Sequence, residues 1–567
     1  MRGKTKSKTP KTFALLMLAS ALLVTAGCGN SGGKEASSES STGTDPVTFT
    51  FFGADASPNW NRMQDEVGQE ITKQTGVTID AEYDVNNGGD QKIALMAASG
   101  DYPDIVYPKG NLSKLVDAGA MLDLTDLIEE HAPNLKKIYG EQMNRLKYSL
   151  EDQSIYTLPT NMGVDNVAFD ATDGFEIQQK VLKELGYPEV RTLQDFENVL
   201  RAYVEKHPTI DGQPTIPLSL NADDWKIMIT VTNPAAQTTG GGGDGEYYIN
   251  PENYEAMLHV KRPIEKEYFR WLNHMYNEGL LDKDTFVQKE DQYKSKIASG
   301  RVLGLIDAEW GYSDAENALK AAGKDDSTYA HFPVTLNKDI KDNTFQPTGF
   351  DGYGIGITTS AKDPVRIIKF FDWLASDEGQ VLRNWGIEGK HYNVVDGKRV
   401  IPEEIQDRKT NDNAAFTKET GVELYSIFSA RYGDGVKDAT DNYYTTRFPE
   451  QIIAGYTAAE KETLKAYGID TWKGLYPQED EFEIKEWGAA YNMPVPSDTD
   501  YNVAYQKTQD IIRKRIPEAV LAKKENFDKV YDDFLAELDR AGAVEMEQQY
   551  TVWVKERVAL WTGKDVK

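Results

Sequence analysis

The chain has 567 residues and a formal net charge of −28, with 63 lysines and arginines set against 91 aspartates and glutamates. So acidic a protein repels polyanions, which argues against nucleic acid and anionic lipid head groups as partners, while a local basic cleft can still admit an anionic ligand. A single cysteine, Cys28, leaves no pair for an internal disulfide, so core burial must hold the fold, and the length allows two or three ordinary domains.

The N-terminus carries Arg2, Lys4, Lys6, Lys8 and Lys11, then an apolar run from Phe13 to Val24, then Ala26 and Gly27 before Cys28. Basic, apolar and small segments in that order read as a secretory signal peptide over residues 1–27, with an apolar centre too short for a stable membrane span. A cysteine at the cleavage position resembles the lipobox of bacterial lipoproteins, although Thr25 replaces the usual leucine. The resemblance implies that Cys28 is lipidated and becomes the mature N-terminus, anchored on the extracytoplasmic face of the cell membrane. An ordinary signal peptide with a chance cysteine is the alternative. Removing residues 1–27 takes away five basic residues and no acidic one, moving the charge from −28 to −33. Residues 29–45, rich in Gly, Ser and Thr, cannot bury enough surface to fold and read as a flexible tether.

From Val47 the pattern is α/β. VTFTFF at 47–52 reads as a buried strand; Trp60, Met63, Val67 and Ile71 fall on one helical face ended by Gly76. VTIDAEY at 77–83, a helix around 93–98 and a short strand at 104–107 continue the alternation, which indicates crossover units and a parallel or mixed sheet. Two strand-like runs are expected between Ser154 and Asp170. A second α/β stretch follows, with a capped amphipathic helix over 192–206, a strand at 215–220 and a helix through Trp271 to Tyr276. Residues 350–358 read as a strand, Asp363-Pro364 starts another helix, and the chain from about Tyr501 is helical in pattern.

No catalytic motif rises above background. The six histidines show no metal-ligand spacing, and there is no zinc-protease motif, nucleophile elbow or phosphate loop. Gly352, Gly354 and Gly356 are followed by a strand pattern rather than a helix, which favours a bend or close packing over a dinucleotide site. Asp84, Asn86, Gly89 and Asp90, like Asp170, Thr172 and Gly174, begin as calcium loops do. Leu95 and Val181 stand where the closing carboxylate belongs, so both read as polar turns.

Segments spread over the chain resemble the large oligosaccharide-binding lipoproteins of ABC importers, within extracellular solute-binding protein family 1. They include LSKLVDAGAMLDLTDLIEEHAPN (112–134), IYTLPTN (155–161), WLNHMYNEGLLDKDTF (271–286) and KIASGRVLGLID (296–307). DGYGIGITTSAKDPVRIIKFFDWLASDEGQ (351–380), WGIEGKHY (385–392) and TVWVKERVALWTGK (551–564) complete the order. The resemblance implies an α/β, two-lobed periplasmic-binding-protein type II-like fold with an interlobe ligand cleft and hinge strands. The first lobe is expected from residues 46–165 plus about 352–480, the second from 166–351 plus about 481–567. Relatives of this kind bind plant and algal polysaccharide fragments, alginate oligosaccharides among them. Many carry a calcium loop after the helix matching 192–206; here KHPTIDGQPTIPL keeps one acid, Asp211, so neither metal nor cofactor is expected.

The implied function is non-enzymatic: capture of an oligosaccharide by hinge closure, then delivery to the importer's permease subunits by a monomeric, lipid-anchored receptor. A lipid-anchored polysaccharide-degrading enzyme and a sugar receptor for a sensor kinase are the alternatives. Sugars bind by stacking their C–H face on aromatic rings and satisfying their hydroxyls with polar side chains. Residues in turn or strand-end settings are therefore the candidates: Trp60, Asn161, Trp225, Trp310, Asp351 and Tyr353, with Trp385, His391 and Tyr392 around the GIEG turn. Trp271, Trp373, Trp553 and Trp561 lie in periodic helical segments and read as packing.

Overall fold

The computed structural model describes residues 44–85, 89–243, 245–497 and 499–566; the signal peptide, Cys28 and all but the end of the tether lie outside the described residues. Two sheets organise the chain. Their strands are β1 (Val47–Gly53), β2 (Val77–Tyr83), β3 (Ile105–Tyr107), β4 (Leu158–Pro159), β5 (Asp173–Gln178), β6 (Ile216–Leu218), β7 (Val302–Ala308), β8 (Tyr329–Phe332) and β9 (Gly354–Ile357). The first sheet runs β2-β1-β3-β9-β4, with β1 parallel to β2 and β3, and β9 antiparallel to β3 and β4. The second runs β8-β5-β7-β6, with β7 parallel to β6 and antiparallel to β5.

Each sheet has its own core. Phe49, Ile71, Ile105, Leu158, Ile355, Phe371 and Tyr425 pack in the first; Phe175, Phe196, Leu272, Ile306, Trp472, Phe534 and Val558 pack in the second. These are the two lobes, and the chain passes between them after β4, before β9, and again ahead of Leu464. Leu464, Trp472 and Tyr476 fall in the span expected of the first lobe but pack in the second core. Asp170 draws them there, accepting from the Trp472 amide at 2.9 Å.

Local signals explain most of the elements. Thr192 and Asp195 form a capping box that starts the helix Leu193–Lys206. Asp363 accepts from the Arg366 amide ahead of Pro364–Ala375. Two expectations shift. The helix after β1 starts at Glu66, because Asp65 caps it by accepting from Gly68, so Trp60 and Met63 lie in the preceding loop with Arg62 and Met63 at positive φ. Of the two strand-like runs in 154–170, Leu158–Pro159 joins the sheet, while the second makes only an isolated parallel bridge, Val164 to Tyr432, as the chain leaves for the other lobe.

The glycine run serves close packing: a Cβ on Gly354 would stand 2.5 Å from the Leu158 carbonyl oxygen, and one on Gly356 2.5 Å from that of Tyr156. Where relatives carry a calcium loop, residues 209–210 and 213–214 form a tight hairpin with Asp211 and Gly212 both at positive φ. Among the described residues, no group of three or more His, Cys, Asp or Glu is placed to hold a metal ion. No helix there is long and apolar enough to cross a membrane.

Candidate functional site

In open α/β sheets, ligands meet the carboxyl ends of parallel strands. Here β1 leads to Asp55, β3 to Lys109, β6 to Trp225, and β7 directly to Glu309 and Trp310. Lys109 Nζ lies 2.6 Å from Asp55 Oδ1, 5.9 Å from the Trp225 ring and 6.0 Å from the Tyr353 ring. Asp55, Lys109 and Tyr353 belong to the first lobe and Trp225 to the second, so this contact marks where the lobes face each other. Trp225 and Trp310 stack with centroids 5.8 Å apart and planes at 19°, and Lys226 Nζ sits 4.8 Å from each ring. Trp310 is 54% exposed, an apolar face held open to the cleft. From the second lobe, Tyr491 lies 5.7 Å from Tyr353.

Beyond Tyr353 lies a half-open cavity. Lys109, Tyr353, Tyr148, Trp553 and Trp561 line it. Trp561 is sandwiched between the guanidinium groups of Arg145 (4.6 Å) and Arg557 (4.7 Å), a cation–π clamp joining the lobes.

The other candidates have different settings. Asn161 is exposed beside Gly352, and its carbonyl accepts from Arg431. Asp351 is buried at the crossing, where it accepts from the Gly352 and Ala489 amides and the Asn492 side chain and pairs with Arg557. It is a hinge tie that presents no free oxygen to the cleft. Trp60 is half-buried among Tyr83, Tyr425 and Phe428. Trp385, His391 and Tyr392 are 3%, 4% and 7% exposed. The Trp385 ring stacks on Phe448 and donates to the Tyr443 carbonyl, while His391 pairs with Glu66 at 2.8 Å. These three pack the first lobe and offer no ring face to a ligand. Lys109, Lys226 and Tyr491 were not among the sequence candidates; only their position after strand ends or beside an aromatic distinguishes them.

Acidic groups gather around the start of β5 and the end of β7, where Asp173 lies opposite Ala308 and the Glu309 amide donates to the Thr172 carbonyl. Burial opposes the charge of Arg447, yet the carboxylates of Glu309, Asp434, Glu423 and Asp170 around it raise its pKa. Burial raises the carboxyls of Asp170, Asp173 and Asp307 to about 6, with Glu309 and Asp307 adding to the effect at Asp173. Beneath them, burial lifts Glu316 to about 7 and lowers His331 to about 3. A carboxyl raised in the folded state contributes stability below its unfolded pKa that is lost as pH rises through the folded value. His331, held neutral, acts oppositely and loses stability as pH falls below its ordinary value. The carboxyls raised by burial, these four with Glu176, Glu246 and Asp342 among others, outnumber His331 and His391, the two imidazoles that burial holds down. The melting temperature is therefore predicted to rise from about pH 7.5 to about pH 5.5; a flat or falling profile by calorimetry would refute this balance.

A cleft at strand ends between two α/β lobes, spanned by crossing segments and faced with exposed aromatic rings, defines a two-lobed ligand receptor. Residues 57–381 match the family described as bacterial extracellular solute-binding protein, and the chain belongs to that family. It is 24% identical over 414 residues to the lipoprotein LipO of Bacillus subtilis (strain 168), covering 69% of this chain and 75% of LipO. It is 26% identical over 422 residues to the fructooligosaccharide ABC transporter substrate-binding protein FusA of Streptococcus pneumoniae, covering 69% and 74%. The solved structure of FusA in complex with kestose superposes with a TM-score of 0.62 at 18% identity, covering 90% of this chain and 99% of that one.

Proposed function

We propose that the chain is the extracellular receptor of an ABC importer, capturing oligosaccharides between its lobes and delivering them to the permease. The observation that carries this is the Trp225–Trp310 stack in one lobe facing Lys109 and Tyr353 in the other. Stacked, exposed indoles suit the C–H faces of sugar rings, and the surrounding carboxylates accept from hydroxyls. A ligand touching both lobes favours the closed form only through contacts the open form lacks. Trp225, Trp310, Tyr353 and Asn161 are the residues assigned to the ligand. The names of FusA and LipO support the ligand class and the anchor. Cys28 would carry the lipid, and residues 29–45 would keep a monomeric receptor near its importer at high effective concentration.

A thermal-shift screen of the mature chain against defined oligosaccharides tests the reading. A glycan at a hundred times its Kd is expected to add about 2.7 kcal/mol of stability. The glycan should be recovered intact after long incubation. A shift only with peptides or amino acids, or the appearance of cleaved products, would overturn it.

A further inference from the structure

Four cationic side chains line the cavity beyond Tyr353, namely Lys109, Arg145, Lys147 and Arg557, together with two carboxylates, Asp351 and Glu556. Two of the cations are already paired, Lys109 with Asp55 and Arg557 with Asp351. Arg145 and Lys147 bond only to neutral oxygens among the described residues. Lys147 Nζ donates to Gln153 at 3.0 Å. Arg145 donates through Nη1, to the carbonyls of Thr348 at 3.2 Å and Phe350 at 3.0 Å, and its Nε and Nη2 donate to no group among the described residues. Those two nitrogens form one edge of the planar guanidinium. Their parallel N–H bonds match the two oxygens of a carboxylate.

That edge is held in place. The Arg145 guanidinium lies 4.6 Å from the Trp561 ring, and a Cβ on Gly349 would stand 2.5 Å from its Nη1, so the glycine makes room for it. Burial opposes its charge, and the one carboxylate that favours it, Asp351, is tied to Arg557, whose own charge opposes it further. With Asp55 counted, four positive charges face three negative ones around the cavity. The acidic surface of the chain acts from farther off and is screened over about 8 Å at physiological ionic strength, while a contact inside the cavity is screened much less. Glu556 is an acceptor for sugar hydroxyls, and Tyr148 and Trp553 supply aromatic surface for C–H faces. Lys109 joins this cavity to the indole platform, with its Nζ 5.9 Å from the Trp225 ring. We infer that the cavity is the subsite for an acidic sugar residue of the bound oligosaccharide, a uronate whose carboxylate is received by the Nε–Nη2 edge of Arg145. This rests on the reading of the cleft as a glycan site.

The test is calorimetric titration of the mature chain with oligouronates, each free and methyl-esterified, and with fructo- and gluco-oligosaccharides. A free uronate is expected to bind about tenfold tighter than its own ester, the scale of a charged hydrogen-bonded pair. Arg145→Gln should abolish that preference. The preference is a ratio measured within one variant, so a general loosening of the clamp on Trp561 does not imitate its loss. Should Arg145→Gln fail to fold, Arg145→Lys decides: it keeps a charge beside Trp561 without the fork, and the preference should fall to about threefold or less. An ester bound as tightly as its acid, or a parental preference in the variant that folds, overturns the inference. Binding of uncharged glycans alone also overturns it, while leaving a glycan receptor. Binding of no glycan in any form overturns the functional reading and this inference together.

Discussion

Trp310→Ala is expected to weaken oligosaccharide binding about 30-fold, about 2 kcal/mol, while leaving the melting temperature close to that of the parent chain. The two halves of this expectation have separate causes. Trp310 is 54% exposed, and its ring rests on Trp225 and Lys226 rather than in either core. Truncation therefore removes little packing that folding depends on. A bound sugar, however, would lose the outer face of the platform, and aromatic anchors at the centre of a desolvated site carry a large share of binding energy. Trp225→Ala should cost at least as much, because it removes the ring on which Trp310 rests and the one that faces Lys109 of the other lobe. Titration calorimetry with the glycan identified by screening reads both effects. If Kd is unchanged in Trp310→Ala, the stacked pair is not the platform, and the ligand must lie in the cavity beyond Tyr353.

The lobes were legible in the sequence because apolar strand runs such as 47–52 and 77–83 alternate with amphipathic helices, of which Leu193–Lys206 and Pro364–Ala375 are announced by the caps Thr192 and Asp363. The cleft was legible only in part. Trp225 and Trp310 follow strand ends, and that position pointed to them. Trp385, His391 and Tyr392 flank a glycine turn and look the same in sequence, yet the segment from Tyr443 to Phe448 covers them. Whether a turn aromatic faces a cleft or a core depends on a cover some sixty residues away, which local pattern does not contain. Trp60 misled in another way. Its spacing to Met63, Val67 and Ile71 fits a helix, but the Asp65 cap starts the helix later, and Met63 reaches the same core from a loop. The approach of Lys109 to Trp225 joins residues more than a hundred positions apart and exists only once the two lobes face each other.

Asp351→Ala is expected to act on stability first, lowering it by about 3–5 kcal/mol, the range for stripping one partner from a buried ion pair. Asp351 is 6% exposed, and its two oxygens accept from the Gly352 amide at 2.7 Å, the Ala489 amide at 2.9 Å and the Asn492 side chain at 2.8 Å. It also lies 3.4 Å from Arg557, which is itself buried. The methyl of alanine replaces none of these contacts. It leaves a guanidinium in a poorly solvated site with only the carbonyls of Trp487, Ala489 and Asn492 and the face of Trp561. Two amides also lose their acceptor, each a further cost when buried. Asp351→Asn keeps an acceptor oxygen and the shape but not the charge, so it should fall between the parent and the alanine variant. The difference from Trp310→Ala lies in position. Asp351 sits where the chain re-enters the first lobe ahead of β9, and it ties that crossing to the 489–492 segment and to the C-terminal helix Ala543–Thr562. A weakened tie should lower the urea midpoint with an m value near that of the parent and loosen the register in which the lobes close, so glycan affinity should fall as well. A parental urea midpoint in Asp351→Ala would mean that the carboxylate does not hold the hinge, leaving the Arg145–Trp561–Arg557 clamp to join the lobes there.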